Sequence, residues 1–89
     1  MTRKPRVWVV LAQVVDEQKV NARRYASSGR VEYVLVTVPR VMVWKRNANE
    51  SSDVEAARAW ANGEWSVYVF PLSERDPIGA AKRAIMGAT

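Results

Sequence analysis

The run Arg30–Arg46, R-V-E-Y-V-L-V-T-V-P-R-V-M-V-W-K-R, constrains the fold more than any other part of the chain. It is dense in β-branched and aromatic residues, which suit a pleated, packed surface and lose rotamer freedom in a helix. In an extended chain, Val31, Tyr33, Leu35 and Thr37 share one face, and Glu32, Val34, Val36 and Val38 share the other. Pro39 has no N–H to give to a ladder. The run therefore predicts either two short strands, Arg30–Val38 and Arg40–Arg46, or one long strand interrupted at a sheet edge. It is expected to form the middle of the sheet.

The flanking segments fill in an α+β order. Arg6–Val15 reads as a first strand, with Val7, Val9, Leu11 and Val15 on one face and Trp8, Val10, Ala12 and Val14 on the other. A strand apolar on both faces is central or covered on both sides. Asp16–Gly29 has two readings. One is a helix capped by Asp16 and ended by Gly29, with Gln18, Ala22, Tyr25 and Ala26 on its inner face. The other is a turn at Asp16–Lys19 followed by a polar edge strand through Tyr25. Ser52-x-x-Glu55 is a capping box and predicts a helix with a Val54/Ala57/Ala61 stripe, Trp60 beside it, and a stop at Asn62-Gly63. Trp65–Phe70 reads as a strand stopped by Pro71. Asp76-Pro77 opens a last helix, with Ile78, Ala81 and Ile85 as its buried stripe. Gly79 weakens that helix by up to ~1 kcal/mol relative to alanine.

These elements predict a small two-layer sandwich: a mainly antiparallel four-stranded sheet with helices packed on it. If the Asp16–Gly29 helix forms, the order is the ferredoxin-like βαββαβ plus a C-terminal helix. If not, a meander with helices on one face results. With 89 residues, a basic arm over 1–5 and a single domain over 6–89 are expected.

Composition removes several chemistries. There is no cysteine, hence no disulfide framework, and a reducing cytoplasm is the simplest location. Arg3, Lys4 and Arg6 precede a short apolar run, but that run is brief and β-branched, so it reads as a strand and not as a secretion signal. No segment is apolar for long enough to span a bilayer as a helix. With no histidine either, Ser-His and Cys-His nucleophile pairs and the usual transition-metal ligands are absent. The four glycines are isolated, so there is no phosphate-cradling loop. The expectation is a protein that is not an enzyme and uses no cofactor.

The net charge of +5 favours anionic partners. Candidate nucleic-acid contacts are Arg3, Lys4 and Arg6 in the arm, Arg23, Arg24 and Arg30 around the ambiguous segment, and Lys45 and Arg46 at a strand end, with Trp44 as a base-stacking ring. Val7–Leu11 resembles the first-strand motif of RNA-recognition modules, with Trp8 at its aromatic position. That resemblance implies sheet aromatics stacking on bases. The strand R-V-M-V-W-K-R-N departs from the module's third-strand motif in having no glycine and only Trp44 as an aromatic. The competing expectation is a protein-binding inhibitor, adaptor or homodimer, because four Trp and three Tyr are many for this length and such rings anchor interfaces. In size and lack of cysteine the chain resembles phage accessory proteins that bind host machinery, CRISPR inhibitors among them.

Overall fold

The structure, a computed structural model, describes residues 5–20 and 33–88. Strand β1 (Arg6–Val20) lies between β2 (Tyr33–Asn49) and β3 (Ser66–Pro71) in an antiparallel sheet of order β2-β1-β3. Helix α1 (Ser52–Ala61) joins β2 to β3, and helix α2 (Pro77–Ala88) ends the chain.

The sheet is centred on β1, not on the Arg30–Arg46 run. The cause lies in the two strands themselves. Val9, Val10, Leu11 and Ala12 of β1 are all fully buried, so both faces of that strand need cover. Pro39 of β2 is tolerated only where no outward ladder bond is demanded, which is a sheet edge. There β2 runs unbroken through it, with Pro39 opposite Val14. The two expected strands are thus one, and among the described residues the sheet has three strands rather than four. The ferredoxin-like order is not confirmed.

The two-layer expectation is also corrected, because the helices cover opposite faces. Val7, Val9 and Leu11 pack with Ala48 and with Val54 and Ala57 of α1, joined by Met42, Trp44, Trp65, Val67 and Val69. Val10 and Ala12 pack with Ala81 and Ile85 of α2, joined by Trp8, Val14, Val41, Tyr68 and Phe70. The strict alternation of inward and outward side chains along β1 therefore builds two separate cores.

Asp16 starts no helix and no turn. Asp16–Val20 continue β1 and pair with Tyr33–Thr37. The Thr37 hydroxyl donates to Asp16 Oδ1 at 2.9 Å, and Arg40 meets Glu17 at 3.3 Å. A neighbouring strand outweighs the weak local preference of this polar stretch. The remainder of the Asp16–Gly29 readings falls on 21–32, outside the described residues.

Because β3 pairs only with Val7–Ala12, the strands beyond Gln13 and Arg40 form a bare two-stranded ribbon about 26 Å long. The molecule measures 69 × 27 × 18 Å, and its radius of gyration of 17.9 Å exceeds the about 12 Å of a compact chain of this length. Val36, expected in the core, sits half-buried on this ribbon opposite Glu17.

The helix ends follow local chemistry, with two corrections. The expected capping box at Ser52 does not form. The N-cap is Ser51, with no side-chain cap bond. Instead Asn49 Oδ1 accepts from Ser51 N–H (2.9 Å), Ser51 Oγ (2.8 Å) and Ser52 N–H (3.1 Å), while Asp53 Oδ2 accepts from Asn49 N–H at 2.6 Å. Asn49 can reach forward because it ends the strand two residues before the cap. At the other end Asn62 and Gly63 take left-handed φ values of 47° and 77°, as expected of that pair. In α2, Asp76 Oδ1 accepts from Gly79 N–H at 3.0 Å, the expected cap. Ile78, expected in the buried stripe, is 44% exposed; Pro77 takes the buried place with Ala81 and Ile85.

Candidate binding site

Two register shifts in β2 decide where the expected contact residues point. Val7 faces Ala48, Val9 faces Lys45 and Val10 faces Val43, so β2 carries two extra residues over this span. Asn47 takes a left-handed φ of 58° within it, a conformation asparagine tolerates. Such bulges re-aim side chains. Trp44 and Lys45, adjacent in sequence, both engage α1: Trp44 packs on its core, and Lys45 Nζ lies 3.2 Å from Asp53. Arg46 goes to the other face, with its guanidinium 5.2 Å from the Trp8 ring centroid. Lys45 and Arg46 therefore do not form one cluster.

The Asp53 carboxyl is held below its usual range, first by the Asn49 N–H and then by the Lys45 ammonium, with Arg6 adding a weaker attraction. Arg6 is exposed at the start of β1. Arg3, Lys4, Arg23, Arg24 and Arg30 lie outside the described residues. The described residues hold nine of the fourteen Lys and Arg and eight of the nine Asp and Glu, leaving them a net charge of only +1. Several of these cations are already engaged: Arg40 with Glu17, Lys45 with Asp53, Arg83 with Asp76 at 3.9 Å, and Arg46 over Trp8.

Trp44 belongs to a row of rings. Its centroid is 5.4 Å from that of Trp60, which is 6.2 Å from Trp65. Trp60 is 53% exposed, and Trp44 and Trp65 are half-buried. Trp60 lies between Trp44 and Trp65. Arg58 lines a cleft of about 270 Å³ with Ala61, Gly63, Trp65 and Val67. Sequence reading passed over Arg58, because a lone arginine on a helix looks like any solvated surface charge. Its meaning comes from β3 lying beside it. On the far ribbon, Tyr33 and Leu35 share a face and are 61% and 69% exposed.

Among the described residues, no three carboxylates cluster to hold a metal ion, and no helix is long and apolar enough to cross a membrane. No family model, curated protein or solved structure matches this chain.

Proposed function

We propose that the chain is a non-catalytic binding protein whose partner is another protein, which it engages as an adaptor or inhibitor does. The observation that carries this reading is the pairing of large exposed apolar side chains, Tyr33 and Leu35, on a ribbon that no third strand of the described residues joins. A two-stranded ribbon is marginal in water by itself, so cover from a partner stabilises it. Tyrosine is among the few residue types that carry most of the energy of protein interfaces. The near-neutral charge of the described residues fits the same reading.

A second reading, a nucleic-acid or nucleoprotein contact, is favoured by one observation. Four of the five net positive charges belong to 1–4 and 21–32, which are joined to opposite ends of β1. A salt series separates the two. Protein and nucleic acid recovered with the tagged chain are quantified from ~50 mM to ~500 mM salt. A protein complex that persists across the range, and is lost with Tyr33→Ser/Leu35→Ser, supports the first reading. Nucleic-acid binding that falls log-linearly with salt refutes it. In that case Lys45→Ala/Arg46→Ala flattens the slope by about one unit rather than two, because Lys45 is already neutralised by Asp53.

A further inference from the structure

The sheet has three free stretches of strand edge among the described residues, and they differ in one respect. The outer edge of β2 carries Pro39 at its middle and two register shifts near its end. The far half of β1, beyond β3, carries Asp16, Glu17, Gln18 and Lys19. Proline, bulges and charges are the devices by which proteins keep an edge from pairing. The outer edge of β3 has none of them along Ser66-Val67-Tyr68-Val69-Phe70, and its one proline, Pro71, stands at the end.

The side chains beside this edge specify what could join it. On one face, Val67 borders the cleft under Arg58. The Arg58 guanidinium meets no carboxylate among the described residues, whereas Arg40, Lys45 and Arg83 each do. On the other face, the rings of Tyr68 and Phe70 stack nearly parallel, 13° apart with centroids at 6.4 Å. A strand laid along β3 would place the residue opposite Val67 against Arg58, and the residues one and three positions further along against Tyr68 and Phe70.

We propose that β3 is a strand-addition site for an extended segment of a protein partner, with an acidic residue opposite Val67 and apolar residues opposite Tyr68 and Phe70, one and three positions to the same side of it. The main chain of the added strand supplies the ladder bonds, and the alternating side chains supply the selectivity. Arg58 is the specificity-determining residue: its fork-shaped guanidinium donates two N–H bonds to a carboxylate. This proposal rests on the protein-binding reading and gives the partner a second point of attachment, apart from the Tyr33/Leu35 ribbon.

The test is selection of a displayed library of random decapeptides on the intact protein, followed by amide chemical-shift mapping of the winners. The expected winners carry Asp or Glu with Val, Ile, Tyr or Phe one and three positions to one side of it, and they shift Ser66–Pro71. Arg58→Glu is expected to weaken them about tenfold and to restore binding when the peptide acid is exchanged for Lys. Winners that shift only the ribbon or β2 overturn the β3 site while leaving the protein-binding reading intact. Winners insensitive to Arg58→Glu overturn the acidic specificity. Concentration-dependent dimerisation abolished by Ser66→Lys makes the occupant a second copy and overturns the proposal. A library that yields no winner, with salt-dependent nucleic-acid binding instead, sinks both the site and the reading beneath it.

Discussion

Replacing Gly79 by alanine pits helix propensity against the helix cap. A glycine inside a helix costs about 1 kcal/mol relative to alanine, so by propensity alone Gly79→Ala stabilises α2 by that amount. The structure adds an opposing cost. A Cβ at Gly79 would run into the Asp76 carboxylate, which sits there because it accepts the Gly79 N–H at 3.0 Å. Displacing it forfeits the cap, worth about 1 kcal/mol. The Arg83–Asp76 pair, long and exposed, adds little to either side. Gly79→Ala is therefore expected to leave stability nearly unchanged, and Asp76→Ala to lower it by about 1 kcal/mol. In the double variant alanine finds the space empty and its propensity gain returns, so stability is again close to wild type. The coupling across the cycle is about 1 kcal/mol, where independent sites show almost none. Denaturant midpoints at constant slope measure all four corners. If Gly79→Ala stabilises equally in both backgrounds, Asp76 keeps its cap in another rotamer and the reasoning fails.

Three further outcomes follow from the same geometry. Asn49→Ala is expected to cost at least about 1 kcal/mol, because three donors lose their acceptor, while Ser52→Ala costs almost nothing; equal midpoint shifts would restore the capping box at Ser52. The Asp53 carboxyl is depressed below 3.8, so its contribution is full above that pH and is lost as pH falls through the lower folded value. Asp53→Asn should flatten the acid limb of a stability–pH profile in that window, and an unchanged limb would contradict the assigned contacts. Val67→Lys puts a charge on the core beneath α1 and is expected to cost at least about 2 kcal/mol, whereas Val36→Lys faces Glu17 on the ribbon and stays within about 0.5 kcal/mol. A severe loss for Val36→Lys in circular-dichroism melts would mean that the ribbon face is covered.

Local chemistry was legible at several places where a residue acts on its nearest neighbours, though not at Ser52, where the expected capping box does not form. The alternation Val7–Val14 announced a strand covered on both sides, and it is the central one. Asp76-Pro77 announced a helix start and Asn62-Gly63 a helix end, because caps and left-handed turns involve only a few adjacent residues. Pro39 offered an edge strand as one of two readings, since a missing N–H is a property of the residue itself, but the run around it was expected in the middle of the sheet and lies at its edge. What periodicity could not supply was the partner of each face. Both faces of β1 are apolar, and nothing in that pattern says whether one helix or two will cover them. The assignment of α1 to one core and α2 to the other exists only once the crossings between strands and helices are made.

Long-range pairing decided the rest. Asp16–Val20 has the composition of a turn or a helix start, and it became strand because Tyr33–Thr37 lies alongside it. Lys45 and Arg46 read as one basic cluster, and they stand on opposite faces, Lys45 beside Asp53 of α1 and Arg46 over Trp8. Arg58 and the edge of β3 are far apart in function until the helix and strand pack side by side to form the cleft between them. A side chain's own chemistry is written at its position in the chain; the charge, ring or open edge it will meet depends on segments many residues away, whose approach is set by register and by burial of the two cores.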